Sequence, residues 1–439
     1  AFNFVGDNGT IQVAEGTYYE NVIWPQVDGV QLIGDNRETT IIDGGANGSV
    51  MHIEFVDSTS FLSGFTLQNG LASQGGGLHL SSSEMTFENL LIKENHSLNS
   101  GGGIYLRADA GEPGAPHMNN IIIRNNLSDA NGGATYSDAY TTLYLTNSVV
   151  EDNHTNAYST MHFSQYGNGY LDNVTIRNNT AVIVGSVFGT YQVTSVYIDN
   201  SVITNNINGS GGGYVMNGNS YASISIKNTL IADNVGGGIL VQNSGFQGSY
   251  TILNGVTVTG NVSADGSTSG IKITSSNPDG YTNISNSIIY GNGDSTQIFI
   301  DADADPTLNI EYSNIQNGLD LVADNIGVIN WGDGNIDVDP KFVFPDSTDY
   351  RLLASSLCIN AAHPDSSDSD GTRLDMGAFP YLTDNDGSDW YVETSGSDIT
   401  GTGTFVNPFA SIQAAFNFVG DNGTIQVAEG TYYENVIWP

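Results

Sequence analysis

Basic residues are scarce: 10 Lys and Arg stand against 47 Asp and Glu, a formal net charge of −37. Binding to a phosphate backbone needs a basic footprint, so nucleic acid is excluded as a partner. An anionic membrane surface is disfavoured for the same reason. The single cysteine, Cys358, lies between Leu357 and Ile359. It allows no internal disulfide, and its apolar neighbours predict a buried, inert thiol. No apolar run approaches the ~20 residues of a membrane span, so no membrane insertion is expected within these 439 residues. Ala1 opens the chain without a charged and then apolar leader, as expected for a window on a longer protein.

What the chain has in quantity is repetition. Residues 1–25 recur without one substitution as residues 415–439, an offset of 414 positions. This identity predicts a tandem array with a 414-residue unit. Ahead of the second copy, Pro408 with apolar Phe409, Ile412, Ala415, Phe416 and Val419 predicts one amphipathic helix. Residues 1–5 would be its last turn, which cannot nucleate alone. The expected division is 1–312 for the coils of one repeat and 313–382 for its closing coils and Asp-rich part. Residues 383–389 would be an acidic linker, and 390–439 the cap and first coil of the next repeat.

A finer period runs inside the unit. Residues 120–126 (NIIIRNN), 147–153 (NSVVEDN), 173–179 (NVTIRNN), 200–206 (NSVITNN), 228–234 (NTLIADN) and 286–292 (NSIIYGN) share one pattern. In each, one Asn precedes another by six positions across a strand rich in β-branched residues. The closing asparagines are Asn69, Asn95, Asn126, Asn153, Asn179, Asn206, Asn234, Asn261 and Asn292, about 28 residues apart, in the range of solenoids and propellers. A small-residue turn and a second strand follow, as in residues 101–106 (GGGIYL). A propeller blade needs about 40 residues, so the spacing predicts an all-β parallel β-helix (β-solenoid) with a short capping helix at the repeat junction. Asn tolerates the left-handed backbone at a corner, and stacked Asn side chains can bond along the axis.

These coils resemble the right-handed parallel β-helix proteins of the pectate-lyase-like superfold. The pairing of Gly-Gly turns (residues 101–104) with Phe87-Glu88-Asn89 is similar to polymorphic outer-membrane and other surface-repeat proteins of bacteria. Residues 390–398 (WYVETSGSD), 407–409 (NPF) and 428–434 (AEGTYYE) resemble the cap and first coil of such domains. Residues 335–340 (NIDVDP), 349–352 (DYRL) and 375–379 (DMGAF) resemble their closing segment. The resemblance implies a right-handed solenoid and an exported bacterial setting, extracellular or at the cell surface. It implies no one activity, because the superfold carries lyases, hydrolases, tailspikes, adhesins and spacers.

A lyase of this fold would need a Lys or Arg base, and the cations are scattered. Arg124 and Arg177 hold equivalent coil positions two coils apart and read as solvated charges. A hydrolase would need carboxylates on adjacent coils. Asp129, Asp152, Asp172 and Asp199 recur near corners, but the sequence singles out no pair. Seven histidines show no metal-ligand spacing. Asp-rich clusters at residues 301–305, at Asp368, Asp370 and Asp375, and at Asp384, Asp386 and Asp389 suit an oxygen cage around calcium; the competing reading is a flexible acidic linker. Tyr105, Tyr136, Tyr140, Tyr144, Tyr158 and Tyr166 could line a strip for surface glycans, or simply pack on the solenoid.

The sequence thus predicts a structural repeat of a giant exported β-solenoid that is not an enzyme. It would form a filament, stalk or adhesin shaft by head-to-tail stacking of copies of itself, as a covalent array or a swapped polymer. The alternative is a polysaccharide lyase, a hydrolase or a non-catalytic glycan-binding adhesin. About 15 coils per repeat, each rising ~4.8 Å, would advance the axis by roughly 70 Å.

Overall fold

The computed structural model describes residues 1–438 apart from 113, 183–185, 193, 210–213, 219–221, 244–248, 264–268, 276–279, 294–295, 302–304 and 325–326. Asp303 and Pro439 of the sequence reading lie outside the described residues.

Each coil begins with a strand whose side chains alternate inward and outward. In His117–Arg124, Met118, Ile121 and Ile123 are buried, while His117, Asn119, Ile122 and Arg124 face out. Asn120, at φ 55°, breaks the alternation and bends the strand into two limbs. The strand pairs in parallel with Thr86–Lys93 before it and Thr142–Glu151 after it. Repeated coil after coil, this builds a 21-stranded sheet. Its inner row Ile92, Ile123, Val150, Ile176, Ile203, Ile231, Val258 and Ile289 is in register and fully buried. Burial of each such side chain is worth about 1.5–3 kcal/mol over exposure. A short 6-stranded sheet and a 12-stranded sheet close the coil, giving a parallel solenoid of about ten turns.

The corner after the second limb divides its work between two consecutive residues. Asn125, Asp152, Asn178, Asn205 and Asp233 take the left-handed conformation. The next residue, Asn126, Asn153, Asn179, Asn206 or Asn234, turns inward and is buried. Asn69 belongs to the first class, with φ 58°, and Gly70 stands where the buried asparagine would be. The Gly-Gly turns pack coils more tightly than any side chain allows. A Cβ on Gly102 would lie 2.5 Å from the Gly133 carbonyl oxygen and 2.3 Å from that of Leu127.

Fewer coils form than the spacing predicts. The solenoid's strand ladder ends at Val328–Trp331, with one further parallel bridge from Asn314 to Ile336, and the chain then folds back instead of coiling on, so the axial advance is nearer 50 Å than 70 Å at ~4.8 Å per turn. Phe342–Phe344 and Asp349–Leu352 form an antiparallel hairpin. This closing segment covers the outer face of the second limb over Leu230, Ala232 and Ile288. Tyr350 Oη donates to Asp233 Oδ1 at 2.5 Å, and the Ala378 amide to Thr257 Oγ1 at 3.0 Å.

The cap follows without a break in the core. Asp389–Val392 pairs in parallel with Thr424–Val427, and the helix Ile412–Phe418 covers them. The helix starts at Ser411, which caps the Ala414 amide, not at Pro408. The Glu434 carboxylate accepts the Ile412 and Gln413 amides at 2.7 and 2.9 Å, satisfying two donors a helix start leaves free. Leu352, Cys358, Met376, Tyr381, Trp390, Phe409 and Phe418 share one core. Burial there pushes the Cys358 thiol up to about 12, so it is inert as expected.

Candidate functional site

Aligning the coils on the first asparagine of each repeat shows what the outer face of the first limb carries. Three residues before that asparagine stand His117, Tyr144, Tyr170 and Tyr197, in register on four successive coils. Their rings stack at 4.3, 4.9 and 4.7 Å between centroids, within 10° of parallel. Two positions away the next column continues the platform with Tyr250 and Tyr281, 5.8 Å apart. A hydrogen bond with Tyr197, together with burial, pushes the Tyr250 hydroxyl up to about 12. The strip is polar at its edges, partly exposed, and made of flat faces, the surface a sugar ring stacks on.

One residue before the same asparagine runs a polar column: Glu88, Asn119, Thr146, Asp172, Asp199 and Lys227. Asp172 and Asp199 are register partners, and Asp199 and Lys227 are the next pair. Asn200 holds both carboxylates, its backbone amide donating to Asp199 Oδ1 and its Nδ2 to Asp172 Oδ1, each at 2.9 Å. Asn228 Nδ2 adds a bond to Asp199 Oδ1 at 3.2 Å. Adjacent parallel strands lie ~4.8 Å apart, so two outward carboxylates beside a ring platform meet on neighbouring coils.

Across the asparagine bend, the second limb carries Lys93, Arg124, Glu151 and Arg177 in one column. Arg177, expected as a solvated surface charge, is exposed and pairs on the surface with Glu151. Arg124 and Arg177 flank Glu151, and Arg177 binds it at 2.7 and 2.9 Å. Arg37 reaches from an earlier coil to the Asn120 carbonyl at 3.1 Å.

The tyrosines singled out in the sequence do not form one strip. Tyr144 belongs to the platform, and Tyr140 and Tyr166 stack at 5.2 Å on the turn before it. Tyr105 and Tyr136 lie on the 12-stranded sheet, in a column with His52, His79 and His162. Tyr158 stands exposed just ahead of that sheet. Burial lowers His162 to about 4, and its Nδ1 meets Ser159 Oγ at 2.6 Å. Sequence reasoning passed over Tyr170, Tyr197 and His117, and left Asp172 and Asp199 unpaired. The signal was their fixed offset from the bend asparagine.

The six carboxylates expected to hold calcium do not converge. Asp375 accepts the Asn360 and Tyr381 amides, both at 2.7 Å, and Asp368 Oδ2 accepts the Asp375 amide at 2.9 Å. Asp370 accepts from Thr372 and Thr383. Burial, with smaller repulsion from Asp368 and Asp370, pushes Asp375 up to about 8. Asp384, Asp386 and Asp389 are exposed. Among the described residues no group of three or more His, Cys, Asp or Glu that could hold a metal ion is found, and no helix is long and apolar enough to cross a membrane.

No family model matches the chain, and no curated protein matches it in sequence. Solved structures do. A pectate lyase, Pel9A, is 14% identical over 87% of this chain and 90% of its own, with a TM-score of 0.41. The catalytic unit of a GH87 alpha-1,3-glucanase from Streptomyces thermodiastaticus strain HF3-3 is 15% identical over 76% of this chain and 64% of its own, with a TM-score of 0.29. The pectate-lyase-like parallel β-helix expected from the sequence is the fold. The expectation that the chain is not an enzyme stands corrected: the two solved structures named above are enzymes on this fold. That expectation rested on scattered basic residues and on no carboxylate pair standing out, and residues 27 positions apart in sequence become neighbours only once the chain coils.

Proposed function

We propose that the chain is a polysaccharide-active enzyme, an exported unit that binds a glycan along the His117–Tyr144–Tyr170–Tyr197 platform and cleaves it beside Asp172 and Asp199. The observation that carries the proposal is the in-register Asp172, Asp199 and Lys227 next to that platform. Retaining glycosidases place two carboxyl groups about 5–5.5 Å apart, and neighbouring coils give a spacing of that order. Asp199, held by two donors, is assigned as the nucleophile. Asp172, more exposed, is assigned as the acid that protonates the leaving oxygen and then the base that activates water.

A second reaction is favoured by one residue. Lys227, one coil beyond Asp199, could act as the base of a β-elimination on a uronate-containing chain, taking the proton next to the carboxylate. The two readings give different products. Incubation with neutral glucans and with uronans, followed by reducing-end and unsaturated-product assays, separates them. Hydrolysis needs new reducing ends without unsaturation, and loss by about 10²–10⁴-fold in Asp172→Asn and Asp199→Asn. Binding of glycans without turnover by the unaltered chain would leave a glycan-binding adhesin and defeat the enzymatic reading. Arrayed end to end, such units would also serve as the shaft of a surface filament, supported by the duplicated 25-residue string.

A further inference from the structure

The duplicated string has two structural lives. In the first copy Thr10–Val13 pairs in parallel with Gln31–Gly34. In the second copy the same four residues, Thr424–Val427, pair in parallel with Asp389–Val392. The two partners lie in different copies, and the registers match. Asp389 faces Thr424, whose twin Thr10 faces Gln31; Val392 faces Val427, whose twin Val13 faces Gly34. Inward parity matches too, for Trp390 and Val392 are buried on one side, and Leu32 and Gly34 on the other.

Burial of the twins is complementary. Phe418 is 9% exposed against the cap, while its twin Phe4 is 93% exposed. Trp24 is 2% exposed against the second coil, while its twin Trp438 is 79% exposed. Glu434 caps the helix start, and Gln413 Oε1 takes the Ile437 amide at 2.7 Å. Each copy satisfies one half of a single environment.

We propose that consecutive repeats of one chain join head to tail through this string, so that one copy of it pairs with Asp389–Val392 of one repeat and with Gln31–Gly34 of the next at once. The joint then fuses the core around Trp390, Phe409 and Phe418 with the core around Trp24, Leu32 and Leu62. Solenoid repeats gain their stability from such neighbour interfaces. The closing segment transmits the joint rigidly, because Asn417 Nδ2 donates to the Ala354 and Ser356 carbonyls at 2.8 and 2.7 Å.

The test is a two-repeat chain in which residues 26–439 follow Pro439 in frame, read by hydrogen exchange. Tyr433→Phe, at a position exposed in the second copy and whose twin Tyr19 is exposed in the first, marks the inner string by mass. The strand amides of the inner string are expected to exchange about 100-fold more slowly than those of the outer copies. Equal exchange in all copies overturns the joint. As an independent measurement, residues 383–414 placed ahead of Ala1 in the present chain should raise the unfolding temperature and make the Phe4→Ala variant lower it. An unchanged unfolding temperature with a silent Phe4→Ala overturns the proposal as well.

Discussion

Asn153 and Asn179 meet through two bonds to one atom: the backbone amide and the Nδ2 of Asn153 both donate to Oδ1 of Asn179, each at 3.0 Å. The same double bond links Asn95 to Asn126, Asn126 to Asn153, Asn179 to Asn206, Asn206 to Asn234, Asn234 to Asn261 and Asn261 to Asn292. The row ends on Gln297, whose Oε1 accepts from Asn292. Buried donors left unpaired cost about 1–3 kcal/mol each. Asn179→Ala strands the Asn153 amide and takes one partner from Asn153 Nδ2, which keeps the Ile123 and Glu151 carbonyls, and should therefore cost about 1–3 kcal/mol or more. Asn95→Ala, whose Oδ1 receives the single Gly70 amide at 2.9 Å, should cost less. Urea unfolding of both variants checks the order.

The platform should act on binding more than on chemistry. Tyr170→Ala removes the ring between Tyr144 and Tyr197, and a stacked aromatic pair is worth about 0.5–1.5 kcal/mol. KM for the responsive polysaccharide should rise roughly threefold to tenfold with little change in kcat. A selective fall in kcat would place the ring in the chemistry instead.

The 12-stranded sheet sets an acid limit. Burial holds His162 at about 4 against an ordinary 6.5, so the folded state binds fewer protons than the unfolded chain between these values. The contribution is complete above pH 6.5 and is lost as pH falls toward 4, by about 3 kcal/mol in all. Urea midpoints measured at pH 7 and pH 4.5 should diverge in the wild type and converge in His162→Phe.

The closing segment should respond in the opposite direction. Asp375 is raised from 3.8 to about 8, chiefly by burial. Its folded state holds a proton the unfolded chain has released, so docking of this segment weakens as pH rises from about 4 toward 8. Exchange of amides at residues 358–381 should speed up over that range while the middle coils stay protected.

The hairpin gives a local test. Tyr350→Phe removes the donor 2.5 Å from Asp233 Oδ1, whose carboxyl is raised by burial and whose Oδ2 is already buried without a partner. The loss should be about 1–3 kcal/mol. Proteolysis within residues 342–352 should quicken before the solenoid itself is cut.

Much of the solenoid was legible because its signals are local. The six-residue Asn-to-Asn spacing fixes both bends, and the glycine pairs fix the turn between sheets. The site was not legible in the same way, since Asp172 and Asp199 pair only across a coil and their offset is visible only after the coils are aligned. The helix start at Ser411 was missed because Glu434, 22 residues on, supplies the bonds that decide it. The count of coils failed where residues 342–381 are held by tertiary contacts to Asp233, Thr257 and Asn286, which no periodicity encodes.

The asparagine row also gives the molecule a direction. From Asn95 to Asn292 each side-chain oxygen accepts from the lower-numbered coil, while each Nδ2 donates both to the next side-chain amide in the row and to a backbone carbonyl of the coil before, so the amide-to-amide bonds all run one way along the axis. Reversing one amide would set oxygen against oxygen on one side and hydrogen against hydrogen on the other. Orientation is therefore held collectively along the row, as in a polarised crystal, and no single amide can turn over without opposing both of its neighbours.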